Sequence, residues 1–311
     1  MIDRRDFLGL ASGVVLPAAA VSVTTLRLTA AERTAGDPGF RDPTARNATH
    51  GGPAARDPAL PAAVGIQLYT LRSLMSEDPV PVLAELSAIG YEEVELAGAY
   101  GRSARELRFM LDDVGLRATS GHQSLETVRT GWDQALEDAQ ELGQRLIVVP
   151  SLPGDERDAE GLRRVSDDFN RAGEAASRAG IRFGYHNHDW ELRRQPDGLV
   201  PMDLLLAGTD PALVDWQMDI YWMFHGGADP VDYLARHPGR VTSFHVKDRD
   251  ADGAMVDVGA GVVDFTEIFR AAGDGFAHAY VEHDSPPDPM ETARTSFSSL
   301  RATLDSMGMR P

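Results

Sequence analysis

The sequence predicts a single (β/α)8 TIM barrel, and three observations support this α/β fold. Short apolar runs alternate eight times with amphipathic stretches, as expected for parallel strands joined by helices. The alternation occupies about 250 residues, the usual size of one such barrel. The main alternative, an open doubly wound sheet, usually carries a glycine-rich phosphate loop after its first strand. Here TLRSLMSEDP follows the first strand, and the absence of a GxGxxG pattern there favours the barrel.

Local patterns place the strands and helices in order. The first strand is predicted at 64–71, and the helix from about Pro79 has apolar residues at helical spacing until Gly90 stops it. The other strands are predicted at 92–98, 116–122, 145–152, 181–188, 214–222, 241–248 and 277–284. The other helices are predicted at 104–115, 125–142 and 159–180, around residues 202, 229 and 265, and at 289–307. Asp264 is a candidate cap for the helix near residue 265.

The N-terminal part of the chain is predicted to lie outside the barrel domain, which is assigned to residues 62–311. Arg4 and Arg5 precede an uncharged run from Phe7 to Ala20, and residues 1–30 resemble a twin-arginine export signal. A membrane anchor is less favoured, because the run is shorter than the roughly 20 residues of a spanning helix. Residues 31–61 lack a hydrophobic period and are predicted to form a flexible linker. We therefore expect a periplasmic or other extracytoplasmic protein, with no stable membrane insertion after signal removal.

Composition and charge exclude several classes of protein. The chain has no cysteine, so disulfides, Cys-ligated zinc and iron-sulfur clusters are excluded, and any metal must be held by His, Asp and Glu. With 30 Lys+Arg against 48 Asp+Glu, the formal charge is −18. Nucleic acids and anionic membranes are bound by clustered Lys and Arg, so this charge argues against both as partners.

Reactive side chains collect at the predicted carboxyl ends of the strands, where barrel active sites lie. These residues are Gln67, Tyr69, Arg72, Glu95, His122, His186, Asn187, His188, Asp189, Glu191, Asp219, His245, Lys247, Asp248, Glu282, His283 and Asp284. Five of the nine histidines are among them. Burying so many carboxylates together is costly unless a cation offsets them. The pattern therefore predicts one divalent metal ion, with Mn²⁺, Co²⁺, Zn²⁺ and Mg²⁺ as alternatives.

Six motifs on successive predicted strands carry a resemblance to a known family. They are GIQLYTLR, VELAGAYG, YHNHDWE, QMDIYW, FHVKD and YVEHD. With these motifs the chain resembles the xylose-isomerase-like barrel family of sugar phosphate isomerases and epimerases. That family includes inosose dehydratases, ketose 3-epimerases and 3-keto-glycoside lyases, and it is distantly similar to endonuclease IV. The resemblance covers nearly all of residues 64–305.

The resemblance implies a set of metal ligands on the fifth to eighth strands. Asp219, His245 and Glu282 match three of the family's four ligands. Many relatives have Glu at the end of the fifth strand, where this chain has YHNH. We predict Glu191 as the fourth ligand, because a second anionic oxygen donor suits a hard divalent ion, and His186 is the competing candidate.

The predicted activity is isomerisation or epimerisation of a ketose or keto-sugar by proton removal next to its carbonyl. A divalent metal would polarise that carbonyl. By the resemblance, Glu282 and Glu191 would flank the substrate carbon. The candidates for proton relay, or for hydrogen bonds to sugar hydroxyls, are His188, Lys247 and His122. The predicted substrate-binding residues are Tyr69, Glu95, His186 and Trp222.

Three other functions remain open. A lyase or dehydratase acting on 3-keto-glycosides or inosose-like substrates would use the same chemistry but expel a β substituent. A noncatalytic extracytoplasmic sugar-binding protein would keep the barrel without turnover. An endonuclease-like repair enzyme is disfavoured by the charge and the export signal. A phosphorylated substrate is also disfavoured, because no glycine-rich loop or Arg/Lys cluster follows the seventh and eighth strands.

Overall fold

The computed structural model describes residues 63–196 and 198–309, which form a closed barrel of eight parallel strands. The predicted export signal and linker lie outside these residues and remain predictions. The barrel strands are β1 (Val64–Gln67), β2 (Glu93–Leu96), β3 (Arg117–His122), β4 (Leu146–Val149), β5 (Arg182–His186), β6 (Val214–Asp219), β7 (Val241–Val246) and β10 (His278–Val281). Neighbours follow chain order around the barrel, and β1 closes it by pairing with both β2 and β10. The predicted barrel fold is confirmed.

Helices follow the strands and cover the outside of the barrel. They are α1 (Arg72–Glu77), α2 (Pro79–Ile89), α3 (Ala104–Val114), α4 (Leu125–Thr130), α5 (Trp132–Leu142), α6 (Ala159–Arg178), α7 (Pro201–Gly208), α8 (Ile220–His225), α9 (Pro230–Arg236), α10 (Phe265–Ala272) and α11 (Pro289–Ser306). Short 3-10 helices occupy Leu68–Leu71, Gly154–Glu156, Trp190–Leu192 and Gly273–Gly275. Among the described residues, none of the helices is long and apolar enough to cross a membrane.

Local hydrogen bonds set several element boundaries. Gly90, at φ 117°, ends α2, and Asp264 caps α10 by accepting from the amide of Glu267, both as predicted. All eight barrel strands are shorter than predicted, and in two of them a side chain at the end of the strand shows why. The first ends at Gln67, whose side chain accepts from Tyr69 N at 3.1 Å and starts a 3-10 helix. The sixth ends at Asp219, whose carboxylate accepts from an amide in α8 and caps that helix. The predicted helix 125–142 is interrupted between α4 and α5.

The apolar core lies between the barrel and its helices. Phe183 on β5 contacts Trp132 of α5 and Phe169 of α6 edge to face, and Phe244 on β7 packs on Phe269 of α10. Burial of each large apolar side chain stabilises the fold by about 1.5–3 kcal/mol. Because successive side chains of a strand point to opposite faces, the neighbours of these aromatics point into the barrel. The strand ends therefore direct polar side chains inward.

A two-stranded hairpin of β8 (Asp248–Arg249) and β9 (Met255–Val256) follows β7. Asp248 is 1% exposed and holds the rest of this loop. Its carboxylate accepts from the amides of Gly259 at 3.0 Å, Gly261 at 3.1 Å and Val263 at 3.2 Å, and from Arg249 N at 2.8 Å. A Cβ at Gly261 would lie within 2.2 Å of Asp248 Oδ1, so only glycine fits there.

Candidate active site

Glu95, at the end of β2, is fully buried and joins four strands inside the barrel. Its Oε1 accepts from Ser120 Oγ at 2.6 Å and from Gln217 Nε2 at 2.8 Å. Its Oε2 accepts from Gln67 Nε2 at 2.8 Å and lies 3.2 Å from His122 Nε2. These contacts bring β1, β2, β3 and β6 together at one level, directly below the rim.

His245 on β7 lies between two carboxylates. Its Nε2 is 2.5 Å from Glu95 Oε2, and its Nδ1 is 2.6 Å from Glu282 Oε2. Burial alone would lower the pKa of His245, but Glu282 and Glu95 raise it to about 10. Burial alone would raise the pKa of Glu95, whereas His122 and His245 hold it well below its usual range. The histidine therefore bears a positive charge here, between two ionised carboxylates.

Lys247 is a second buried cation, 1% exposed. Its Nζ lies 2.8 Å from Asp219 Oδ2, 2.8 Å from Glu282 Oε2 and 2.6 Å from Asp284 Oδ1. Burial opposes its charge, but these carboxylates hold the pKa of Lys247 well above its usual range. Burial would likewise raise the pKa of Glu282, and Lys247 and His245 instead lower it. Glu282 is therefore ionised at neutral pH.

Two groups of side chains in this cluster could hold a metal ion. In each group the ligand atoms lie within 4.8 Å of one another, and His245 belongs to both: Glu95, His122 and His245; His186, Asp219 and His245. His186 Nδ1 is buried and has no hydrogen-bond partner among the described residues. Burial, followed by His245, lowers the pKa of His186 well below its usual range, so its ring is neutral and can donate a lone pair. Burial also raises the pKa of Asp219 to about 6.

The chemistry of the donor set fits a divalent cation. Imidazole and carboxylate donors together suit Zn²⁺, Mn²⁺ and Co²⁺. The carboxylates outnumber the cationic side chains that contact them, and the two sets are Glu95, Asp219, Glu282 and Asp284 against His245 and Lys247. A bound cation would offset this excess of buried negative charge.

The two candidates for the fourth ligand lie in different surroundings. Strand β5 ends at His186, whose ring points into the barrel and lies 4.4 Å from that of His245. Glu191 follows in the 3-10 helix Trp190–Leu192, and its carboxylate accepts from Tyr185 Oη at 2.5 Å and from His188 N at 2.9 Å. Because Tyr185 points outward, Glu191 is held behind β5, outside both metal-donor groups. The geometry thus favours His186 over Glu191.

The remaining predicted residues lie around this cluster. The ring of His188 is 5.0 Å from that of His186 and 5.6 Å from that of Trp222. Burial, followed by Lys247, lowers the pKa of His188 to about 4, so its imidazole is neutral. The Trp222 ring lies 6.0 Å from Lys247 Nζ. Tyr69 lies at the rim, 43% exposed, with the Arg72 guanidinium over its ring.

Three amide side chains that support the site were given no role on sequence grounds. Gln67 and Gln217 hold Glu95 in place. Asn187 Oδ1 accepts from Trp216 Nε1 at 2.8 Å and from the amide of Asp219 at 3.0 Å, so it fixes the ends of β5 and β6 together. Strand alternation could have identified Gln217, because it shares a face with Asp219 two residues later.

The number of lysines in the sequence also points to this site. Lys247 is the only lysine among the 311 residues, and the other basic side chains are arginines. The ammonium is a compact point charge, whereas the guanidinium is a planar fork suited to bidentate pairing. Three carboxylates from different parts of the rim converge on one atom here, a geometry that suits the point charge of an ammonium better than the planar fork of a guanidinium.

Comparison with known proteins places the barrel among related chains. A protein-family profile described as xylose isomerase-like TIM barrel matches residues 83–303. The inosose dehydratase of Geobacillus kaustophilus is 24% identical in an alignment that covers 67% of this chain and 80% of that protein.

Solved structures show the same fold. A sugar phosphate isomerase/epimerase from Parabacteroides distasonis matches with a TM-score of 0.68 and 30% identity, covering 79% of this chain and 95% of that chain. The IOLI protein, solved with a zinc atom, matches with a TM-score of 0.59 over 78% of this chain and 98% of that chain. Its identity is 15%, so this likeness concerns the fold alone.

Proposed function

The chain belongs to the xylose isomerase-like TIM barrel family, and from this premise we propose that it is a divalent-metal-dependent sugar isomerase or epimerase. The substrate is a ketose or keto-sugar, and the reaction moves a proton on the carbon next to its carbonyl. One observation carries the proposal: His186, Asp219 and His245 place their ligand atoms within 4.8 Å of one another at the carboxyl end of the barrel.

His186, Asp219, His245 and Glu282 are the residues that would hold the ion. His245, which is protonated between Glu95 and Glu282 without the metal, would release one ring proton on binding it. When bound there, a divalent ion would polarise the substrate carbonyl and acidify the adjacent C–H. Asn187 supports this set by fixing the amide of Asp219. Second-sphere hydrogen bonds of this kind orient metal ligands and tune their affinity.

Glu282 is the proposed base. It is ionised and 6% exposed; burial raises its pKa, but Lys247 and His245 lower it overall. Glu282 is thus a weak base, and it can take the proton only from a C–H acidified by polarisation of the adjacent carbonyl. Lys247, in contact with the same oxygen, stabilises the charge of Glu282 between turnovers. His188 is the proposed second proton-transfer group, because its neutral ring lies beside His186 and Trp222. For epimerisation, His188 takes up a proton from solvent and delivers it to the same carbon from the other face, and Glu282 then releases its proton to solvent. For isomerisation, Glu282 delivers its proton to the neighbouring carbon.

A neutral sugar fits the surroundings better than a phosphate ester. The loops 247–264 and 282–288 contain two permanently cationic side chains, Lys247 and Arg249. Lys247 is already paired with three carboxylates. His122 and Trp222 remain the proposed contacts for sugar hydroxyls and the ring face, with Tyr69 at the rim. Glu95 is fully buried with both oxygens bound by protein groups, so its proposed role becomes support of His122.

Solvent exchange tests the proposal. The Mn²⁺-loaded protein is incubated in D2O with a panel of ketoses and 3-keto-sugars, and deuterium at the carbon next to the carbonyl is followed by NMR. We expect exchange that is lost on chelation of the metal and in Glu282→Gln, and retained in the control Glu267→Gln, an exposed carboxylate on α10. Exchange that survives both chelation and Glu282→Gln would contradict the proposal.

Elimination is the second candidate, favoured by the likeness to an inosose dehydratase. The same proton removal, followed by departure of a β substituent, would give a lyase or dehydratase. Mass spectrometry of the products separates the two reactions, because elimination releases water or an alcohol and epimerisation conserves mass. A sugar-binding protein would bind without either change.

We also propose that the protein acts outside the cytoplasm. Arg4 and Arg5 before the uncharged run support this location. Replacing both with lysine should leave a tagged protein in the cytoplasmic fraction, whereas the unchanged protein should appear in the extracytoplasmic fraction. Equal distribution of the two would argue against a twin-arginine signal.

A further inference from the structure

Two cavities meet at His122 and Gln123, which line both. Neither is lined by a proposed metal ligand, and the His122 ring, stacked on that of His245, connects them to the metal site. The first, about 520 Å³, lies between the loop after β2 and helices α3 and α5. The second, about 480 Å³, lies between the loops after β3 and β4. Each falls within the roughly 300–1,000 Å³ typical of small-molecule sites. No step of the proposed reaction uses either of them.

We infer that these cavities form a second subsite, which binds the part of a glycoside that lies beyond the reacting ring. This inference rests on the proposed function of the metal site and specifies its substrate as a sugar with a glycosidic substituent. The proposed ligands come from β5, β6 and β7 and from the end of β10, whereas the cavities lie along β2, β3 and β4. A substrate bound to the metal on the β5, β6, β7 and β10 side of the barrel opening would extend over the opposite side, formed by β2, β3 and β4.

His122 connects the two regions. Its Nε2 lies 3.2 Å from Glu95 Oε2, and its ring stacks at 5.5 Å on that of His245. The same residue lines both cavities. A sugar ring in contact with His122 at the metal site would therefore lie next to both cavities, which meet at Gln123.

The lining of the cavities suits a neutral polyhydroxylated group. The first combines Arg102, Asp138 and Gln134 with the apolar Leu96 and Leu107. Acidic and basic side chains balance there, so the cavity offers hydrogen bonds without a net positive field for phosphate. Apolar side chains beside polar ones match the two faces of a sugar, which presents C–H groups as well as hydroxyls.

The second cavity has the same mixed character. Ser124, Glu126 and Ser151 supply polar groups, and Leu125 and Leu152 supply apolar surface. It contains no basic side chain other than His122. The second cavity therefore suits the same kind of ligand as the first, a neutral group with both hydroxyls and C–H surfaces.

The loop after β2 has an unusual backbone that shapes the first cavity. Tyr100, at φ 50°, is the only non-glycine residue with positive φ among the described residues. Its hydroxyl accepts from Ala97 N at 3.4 Å and holds the loop in this form. Gly98, Ala99 and Arg102 from the same loop line the cavity. Backbone strain of this kind persists only where the surroundings impose it, and it is concentrated at ligand-binding sites.

Binding of paired probes to the Mn²⁺-loaded protein tests the inference. Calorimetry compares cellobiose with methyl β-glucoside, and maltose with methyl α-glucoside. We expect at least one disaccharide to bind about tenfold more tightly than its methyl glycoside, a difference that one additional occupied subsite readily supplies. Gln134→Trp, which fills the first cavity, or Ser151→Trp, which fills the second, should remove the advantage.

Glu137→Trp is the matched control, because it places the same side chain on an exposed position of α5 outside the cavity. It should leave the advantage intact. Gln134 and Ser151 are also exposed, so tryptophan can be placed there without overpacking the core, and circular dichroism checks the fold. If neither disaccharide binds more tightly than its methyl glycoside, or the advantage survives in both cavity variants, the inference is wrong. The calorimetry measures binding and tests only the second subsite. Absence of deuterium exchange in the unchanged protein would overturn the proposed reaction, whatever the result of the binding experiment.

Discussion

Lys247 and Asp219 form a buried ion pair, with Lys247 Nζ 2.8 Å from Asp219 Oδ2. The same ammonium lies 2.8 Å from Glu282 Oε2. A cation of the protein therefore lies between two of the carboxylates proposed to hold a metal ion. Lys247 offsets their charge without the metal, and a bound ion would take over part of that function.

Lys247→Met should make stability depend on metal. Removing one partner of a buried pair leaves uncompensated charge and costs about 3–5 kcal/mol, so the free energy of unfolding of the metal-free variant should fall by roughly that amount. Mn²⁺ should restore more stability to the variant than to the unchanged protein, because it offsets the buried carboxylates that have lost their cation. Urea unfolding with and without Mn²⁺ measures both. Lys247→Arg keeps the charge and should lose less stability; equal unfolding midpoints for Lys247→Met and the unchanged protein would refute the prediction.

His186→Ala should weaken Mn²⁺ binding by at least about tenfold, because loss of a ligand should cost no less than loss of a second-sphere partner. Glu191→Gln should bind Mn²⁺ as tightly as the unchanged protein, since its carboxylate contacts Tyr185 and an amide instead. Calorimetric titration of each protein gives the affinities. The opposite ranking would restore Glu191 as the fourth ligand.

Asp248→Ala should destabilise the loop after β7. It removes an acceptor for four backbone amides, and each buried donor left without a partner costs about 1–3 kcal/mol. Some amides will reach water, so we expect a loss of about 3 kcal/mol in the free energy of unfolding. Asp252→Ala, at an exposed position of the same hairpin, is the control and should change little. Chemical denaturation followed by circular dichroism gives both values, and an unchanged midpoint for Asp248→Ala would show that the loop does not depend on this carboxylate.

The pH dependence of stability should contain a contribution from Glu191. Burial raises its pKa from 4.5 to about 7, even though Tyr185 and His188 N donate to the carboxylate. Between these two pH values the folded protein keeps a proton that the unfolded chain has lost, so this contribution to stability falls as pH rises. The fall amounts to at most about 3 kcal/mol. It should be absent in Glu191→Gln, and denaturation of both metal-free proteins across this pH range measures the difference. Parallel pH profiles for the two proteins would contradict the prediction.

Local sequence patterns were sufficient to predict the barrel and the level of its site. Helix ends at Gly90 and Asp264 follow from short-range rules, because each depends on residues within one turn. The strand-end positions of His122, Asp219 and His245 followed as well, since parallel strands of a barrel all present their carboxyl ends at one rim.

Only the tertiary structure decided which rim side chains meet. Glu95 and His245 are 150 positions apart in the chain, yet their side chains are in contact, and no local pattern encodes this pairing. The preference for His186 over Glu191 as the fourth metal ligand also came only from the tertiary structure. The sequence placed both near the end of the fifth strand, but the turn after His186 and the outward-facing Tyr185 hold Glu191 behind the barrel wall. Periodicity specifies which residues belong to an element, whereas closure of the barrel and the exact end of each strand determine where a side chain points.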